Sequence, residues 1–304
     1  MTLLSGFIRK QGQFVLGKKQ NAFLHTVFLA VIPYTDWLSL AVIALITLRK
    51  GIREGLPLLL AGMIAYFICA GFFSSLTIGL TNTLLTFLPG FFAAITLRLT
   101  KSWRWVAIIC LLQVSIAALC LQTFAPEYIE IQFQFIQHLL SEVQNDNFAF
   151  DILMNRGLNQ TTLANYLVGV QAVGVILSGI SALMLARSVQ AELFYPGGFK
   201  KEMETFRGDK IGLLILLVCL FAAHGGNVLA MNILPMLMVY FMLAGLSLGS
   251  HILYNKKPVT SLFLLVTPLI FLPFVMLPLY VIFGSLDSIF NFRSYLAVNA
   301  DNRA

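Results

Sequence analysis

Polar residues inside apolar stretches are the ones in this sequence whose types suggest chemistry. His224, Gly225, Gly226 and Asn227 stand together between two apolar runs. Two adjacent glycines at membrane depth can break a helix, and the carbonyls freed there can hold a ligand. The alternative is a loop near the outer surface, with the histidine and asparagine in water. The sequence favours the loop, because both flanking runs then keep an acceptable length.

Amides and a histidine in apolar runs raise the same question at other positions. A single amide in a spanning helix more often makes a hydrogen bond to another helix than a contact with a ligand. Ligand binding remains open for each of these residues. The candidate ligand-binding residues are His224, Asn227, Asn232, Gln171, Gln113, Asn82 and His25.

Several kinds of chemistry lack their sequence patterns here. The chain has no Walker A sequence and no HExxH. Its GxSxG string, Gly245–Gly249, lies within a predicted span rather than at a strand-to-helix turn. Its four histidines lack metal-ligand spacing, and none of its four cysteines forms a Cys-x-x-Cys pair. We therefore expect no enzyme activity, no metal and no cofactor. Any transport driven by ATP then needs an ATPase on a partner.

The elements that position these residues are predicted from composition. The 304 residues are 59% hydrophobic and 11% charged, against about a quarter charged in ordinary globular domains. Because a spanning helix needs about 20 mostly apolar residues, the successive apolar runs predict an all-α polytopic membrane helix bundle. We expect about seven to nine spanning or half-spanning helices in one integral membrane domain, 1–304.

The predicted spans fall into two groups. Regular runs cover 57–75, 78–97, 105–124, 163–186, 211–229 and 231–250. The segments 22–48 and 260–290 are long for one crossing and short for two, and prolines interrupt both. We interpret each as a hairpin of short or tilted helices. Asp287, the only acid of the second segment, is expected to cap its helix or to pair with Arg293.

Charge placement predicts the orientation. Lysine and arginine concentrate in segments that fall on one side if 22–48 is a hairpin, and the positive-inside rule makes that side cytoplasmic. The N-terminal segment 1–20 and the loop 187–210 are then cytoplasmic. The acid-rich segment 125–160 is external, and its spacing predicts an amphipathic helix on the membrane surface. The side of the C-terminus stays open.

The loop 187–210 contains a turn followed by a short helix. Pro196, Gly197 and Gly198 are turn residues, and Phe199, Met203 and Phe206 then recur at helical spacing. We expect an amphipathic helix whose aromatic face meets lipid headgroups or a cytoplasmic partner. The candidate interface residues are Pro196, Gly197, Gly198, Phe199 and Phe206.

Small residues at four-residue spacing predict close helix packing. They occur at Gly174, Ser178, Ala182 and Ala186, at Gly245 and Gly249, and at Ala22, Thr26 and Ala30. Such seams let two helices approach closely. The neighbouring helix is expected to belong to this chain rather than to another subunit.

Three stretches carry a resemblance to a known family. "ARSVQAELFYPGGFKKE", "LRKGIREG" and "GSLDSIFNFR" resemble the YybS-like family of uncharacterised bacterial membrane proteins. That family is distantly similar to the substrate-binding subunits of energy-coupling-factor transporters, which bind vitamins or metals and borrow an ATPase module. The resemblance implies a multi-pass protein of the bacterial cytoplasmic membrane.

Two functions are consistent with these features. The first is a transport-type subunit that binds a small solute between its helices and has no ATPase of its own. The second is a non-catalytic scaffold or assembly factor that holds a cytoplasmic partner through residues 187–210. We expect contact with the lipid bilayer in both cases, and no binding of nucleic acid, because acids are interleaved with the basic residues.

Overall fold

A computed structural model describes residues 3–73, 75–124, 160–253 and 258–294, together with Gln134 and His138. All elements with bounds in these ranges are helices. Apart from Gln134 and His138, the predicted external helix within 125–160 lies outside the described residues. The helices are α1 Leu3–Gly17, α2 Lys19–Val31, α3 Asp36–Lys50, α4 Ile52–Phe73, α5 Leu76–Thr100, α6 Trp103–Phe124, α7 Gln160–Phe194, α8 Gly198–Thr205, α9 Lys210–His224, α10 Val228–Ile252, α11 Pro258–Phe271 and α12 Pro273–Phe290.

Six helices of the described part are long and apolar enough to cross a membrane. They are Ile52–Phe72, Ile78–Thr100, Trp103–Phe124, Leu163–Phe194, Val228–Ile252 and Pro273–Phe290. Many large apolar side chains on these helices are exposed, such as Phe72, Ile108 and Phe274. The predicted class is confirmed: the chain is an all-α, multi-pass membrane protein.

The chain divides into two compact units. Unit 1 comprises residues 1–110 and 174–203, and unit 2 comprises residues 111–173 and 204–304. Helices α6 and α7 contribute residues to both units.

In unit 1, the segment 22–48 forms the predicted hairpin. Helix α2 ends at Val31 and α3 begins at Asp36. The Thr35 hydroxyl donates to the Leu29 carbonyl at 2.7 Å and so closes the turn. The Ser39 hydroxyl donates across the hairpin to the Thr26 carbonyl at 2.8 Å. The seam of Ala22, Thr26 and Ala30 is buried, so it packs within the chain as expected.

Two further contacts hold unit 1 together. The Arg98 guanidinium donates to the Thr47 and Leu48 carbonyls at 3.0 and 2.6 Å, which satisfies carbonyls at the C-terminal end of α3. A Cβ built at Gly90 would lie 3.2 Å from the Gly179 Cα. These two glycines therefore let α5 and α7 approach at backbone distance.

In unit 2, the segment 260–290 also folds back on itself. Helix α11 ends at Phe271 and α12 begins at Pro273. The Tyr280 hydroxyl donates to the Leu265 carbonyl at 2.8 Å, a contact that a straight helix of this length would not allow. The predicted hairpin is therefore confirmed.

Glycines bring α10 and α12 into backbone contact. A Cβ built at Gly284 would lie 2.7 Å from the Gly245 amide nitrogen, and closer still to the Phe241 carbonyl oxygen. A Cβ at Gly245 would overlap the Tyr280 carbonyl oxygen, and one at Gly249 would lie 2.6 Å from the Leu265 side chain. The Gly245 and Gly249 seam thus packs within the chain, as expected. By contrast, Gly174 has open space around it.

Two predicted boundaries are wrong. The span predicted over 211–229 ends at His224, because Gly225 and Gly226 begin a turn there. The loop predicted over 187–210 is helical as far as Phe194, because α7 continues well past the predicted end at Ala186.

Candidate functional site

The structure resolves the alternatives for His224 to Asn227 in favour of a loop. Gly226 has φ +84°, and the Asn227 amide nitrogen donates to the Ala222 carbonyl at 2.9 Å. The Asn227 side chain then caps α10 by accepting from the Ala230 amide at 3.0 Å. All four residues of the turn are exposed. The segment is an interhelical turn, which is the alternative that the sequence favours.

Asn232 lies one turn into α10 and faces another polar residue. Its Nδ2 donates to the Asn165 Oδ1 at 3.0 Å and to the Val228 carbonyl at 2.8 Å. Both asparagines are 1% exposed. The Oδ1 atom of Asn232 is buried without a hydrogen-bond partner among the described residues. This contact is an interhelical amide pair with one acceptor left over.

Gln113 differs from the other candidate amides. Both polar atoms of its side chain, Oε1 and Nε2, are buried and lack hydrogen-bond partners in the described part of the chain. Its helix, α6, also carries Leu111, which packs against the apolar core of unit 2. Met231 of α10 is part of the same core, and Tyr166 of α7 packs against it. Gln113, Asn165 and Asn232 therefore lie on three helices that one apolar cluster joins.

All the buried side-chain atoms without a partner in the described residues belong to unit 2. Besides those of Gln113 and Asn232, they are Nε2 of Gln122 and Oδ1 of Asp287. Buried polar groups nearly always have a hydrogen-bond partner. Unit 1 has no such atom among its described residues. The unmet hydrogen-bonding capacity is therefore concentrated in unit 2.

Asn82, Gln171 and His25 have no buried side-chain atom that lacks a hydrogen-bond partner among the described residues. Asn82 and Gln171 are exposed on their helices. His25 is half-buried in unit 1, where its Nδ1 pairs with the carbonyl of Asn21 on the same helix at 2.9 Å and its ring packs against Phe14. In the predicted set, Gln113 and Asn232 are the residues with buried side-chain atoms that lack a hydrogen-bond partner among the described residues.

A buried charged cluster lies at the end of α12. The Arg293 Nε donates to Asp287 Oδ2 at 3.2 Å, which confirms the predicted pair. Arg207 places its Nε 3.9 Å from the same oxygen and donates to the Asp287 and Ser288 carbonyls at 2.8 and 2.9 Å. Asp287 is 0% exposed. Two guanidinium groups therefore compensate one buried carboxylate.

Arg293 also ties this cluster to the segment before α9. Its Nη2 donates to the Phe206 carbonyl at 2.7 Å and to the Ser247 hydroxyl at 3.2 Å. Burial lowers the pKa of the Arg293 guanidinium from its ordinary value, and the Asp287 charge opposes that shift. An arginine side chain is effectively always protonated in proteins, so Arg293 stays charged.

The predicted short helix of the 187–210 loop is present as α8. Glu202 faces inward, where it pairs with the Arg187 guanidinium and accepts from Trp103 Nε1 at 3.2 Å. Phe206 packs edge-on against Tyr240 at 5.8 Å between ring centroids. Phe206 therefore packs within unit 2. Phe199 and Gly198 are half-buried, while Pro196 and Gly197 are exposed in the turn.

Sequence reasoning missed Asn165 and Arg207. Asn165 lies in the predicted span 163–186 beside Gln171 and carries the same signal, an amide in an apolar run. Arg207 belongs to a charged loop, where nothing in the local pattern indicates a buried acid 80 residues away. Comparisons with protein families, with curated proteins and with solved structures found no match. The described residues contain no group of three or more acidic, histidine or cysteine side chains suited to a metal ion.

Proposed function

We propose that this membrane protein is a transport-type subunit that binds a small polar solute in unit 2, through Gln113 and Asn232, without catalysis of its own. The observation that carries the proposal is the Gln113 side chain, both of whose polar atoms are buried without partners in the described residues. Leaving a buried polar atom unsatisfied costs about 1–3 kcal/mol. A solute that supplied the missing bonds would recover this free energy on binding.

The unpaired atoms suggest the chemistry of the solute. Oε1 of Gln113 and Oδ1 of Asn232 are acceptors, and Nε2 of Gln113 is a donor. A solute that carries hydroxyl or amino groups together with a carbonyl or ether oxygen can satisfy both kinds of atom. Neither side chain is charged, so the proposed ligand is neutral or weakly charged at the atoms that these amides hold.

The energy for transport would come from outside this chain. The sequence has no Walker A pattern, and its resemblance to the YybS-like family supports a partner that carries the ATPase. We place the protein in a bacterial cytoplasmic membrane with its N-terminus inside, on the basis of that resemblance and the positive-inside rule.

A thermal-unfolding screen of the purified protein in detergent tests the proposal. Pools of polyols, amino compounds, nucleosides and carboxylates are added separately, because a ligand that binds only the folded state raises Tm by mass action. At least one neutral polar pool should raise Tm in the wild type and have no effect on Gln113→Leu. Asn82→Leu, which removes an exposed amide from a span, is the matched control and should keep the response. A folded protein that responds to none of the pools would overturn the proposal.

One structural feature, an exposed turn, favours the alternative function as a scaffold. Tyr195 is 65% exposed in the turn before α8, and Pro196 and Gly197 beside it are exposed as well. A cytoplasmic partner held by this turn should co-purify with the wild type and be lost from Tyr195→Ser. Tyr34→Ser, at a residue 92% exposed in another turn, should retain the partner. Equal recovery from both variants would exclude this turn as the docking point.

A further inference from the structure

Unit 1 contains an open cavity of about 570 Å³ where α2 and α4 begin and α3 ends. Its lining combines basic side chains with an apolar wall. The basic part is formed by Lys19, Lys50 and Arg53, accompanied by Glu54, and the wall includes Phe23 and Leu24. Three cations against one acid give this rim an excess of positive charge.

The three cations differ in whether their side chains already form ion pairs or hydrogen bonds. Lys19 pairs with Glu54 at 2.7 Å, and the Lys50 ammonium donates to the Leu16 carbonyl at 2.8 Å. Arg53 is exposed and has no ion pair or hydrogen bond to its side chain among the described residues. Its guanidinium can therefore hold an anion in a bidentate fashion without first breaking a contact.

The apolar wall continues from the basic rim along α2. Phe23 and Leu24 follow Lys19 by about one helical turn, and they are 47% and 65% exposed. A soluble anion would gain nothing from these side chains. A phospholipid has both parts in the required order, a phosphate at the rim and acyl chains along the exposed apolar surface.

We propose that this cavity binds an anionic phospholipid, with its phosphate at Arg53, Lys19 and Lys50 and its acyl chains along Phe23 and Leu24. The excess of positive charge selects an anionic headgroup over a zwitterionic one. Basic segments near a membrane surface gain about 1 kcal/mol per lysine or arginine from anionic lipid. Loss of one arginine should therefore weaken binding about fivefold.

Native mass spectrometry of the full chain in detergent provides the test, with dioleoylphosphatidylglycerol and dioleoylphosphatidylcholine as the two probes. The wild type should retain phosphatidylglycerol in preference to phosphatidylcholine. Arg53→Gln should bind it about fivefold more weakly. Arg104→Gln is the matched control, because Arg104 is also an exposed arginine in the first turn of a spanning helix of unit 1. This control should bind like the wild type.

Two further measurements distinguish a bound phospholipid from a bound soluble phosphate. Leu24→Ser should weaken the binding of phosphatidylglycerol, because the wall would lose contact with an acyl chain. Inorganic phosphate at millimolar concentration should not displace the lipid. Equal retention by Arg53→Gln and Arg104→Gln would overturn the proposal. Displacement by inorganic phosphate, together with no effect of Leu24→Ser, would also overturn it and would indicate a site for a soluble anion.

Discussion

Arg293 Nε donates to Asp287 Oδ2 at 3.2 Å, and the carboxylate it holds is 0% exposed. Because Arg293 also donates to the Phe206 carbonyl and the Ser247 hydroxyl, one guanidinium connects α12, α10 and the segment before α9. Arg207 adds a second cation within 3.9 Å of the same carboxylate oxygen. The end of α12 is therefore held next to the segment 204–209 by charge as well as by packing.

Removing Arg293 should destabilise unit 2. Loss of one partner of a buried ion pair costs about 3–5 kcal/mol, because the other charge stays buried. Here Arg207 retains part of the compensation, so we expect Arg293→Gln to lose about 2 kcal/mol. Thermal unfolding in detergent measures this loss. Arg104→Gln, at an exposed arginine, is the control and should not change Tm.

The double variant Asp287→Asn/Arg293→Gln separates charge from packing. It removes the buried carboxylate together with its cation, so it should be more stable than Arg293→Gln alone. A double variant less stable than Arg293→Gln would contradict this and would show that the Asp287 carboxylate still stabilises unit 2 through Arg207 when Arg293 is absent.

The glycines between α10 and α12 should not tolerate even one added carbon. Gly284→Ala places a Cβ against the Phe241 carbonyl oxygen and the Gly245 amide, and overpacking of this kind costs about 1–3 kcal/mol. Gly174→Ala is the matched control, because a Cβ there meets nothing within 4 Å. It should be neutral or gain up to about 1 kcal/mol, since alanine favours a helix over glycine. The same Tm for both variants would contradict the observed packing.

The fold-back at Leu272 predicts on which side α12 ends. The contact of Arg293 with Phe206 places the end of α12 beside the segment before α9, whereas His224 lies at the other end of α9. Single cysteines at Thr205 and Ser294, in a protein whose native cysteines are replaced by serine, should react with an impermeant maleimide from the same side of the membrane. A cysteine at His224 should react from the opposite side. Labelling of positions 205 and 294 from opposite sides would contradict the hairpin.

The local features of the fold could be predicted from the sequence. Pro33 and the prolines of 260–290 predicted two hairpins, and a pair of Asp287 and Arg293 was one of the two alternatives expected for this lone acid. Contacts between distant segments could not be predicted, such as those of Arg207 with Asp287 or Phe206 with Tyr240. An apolar helix face predicts burial but does not specify what covers it. The aromatic face predicted to meet lipid or a partner therefore includes a residue that packs within the chain.

At the candidate site as well, residue type could be predicted to matter but the packing around each residue could not. Residue type placed Gln113, Asn82 and Gln171 in one class, because each is an amide in an apolar run. Only the packing separates them, since Asn82 and Gln171 are exposed whereas the polar atoms of Gln113 are buried. Hydropathy in a membrane span does not distinguish a lipid-facing amide from an enclosed one, because both are surrounded by apolar residues in the sequence.

The central proposal is that the polar atoms of Gln113, which are buried without partners among the described residues, bind a solute in unit 2. Thermal unfolding of Gln113→Leu, with and without the solute pool that stabilises the wild type, tests it most directly. We predict that the unliganded variant is more stable than the wild type by about 1–2 kcal/mol, because a buried unsatisfied amide is replaced by an apolar group, and that it no longer responds to the solute. A Gln113→Leu protein that is less stable than the wild type, or that keeps the full solute response, would contradict the claim.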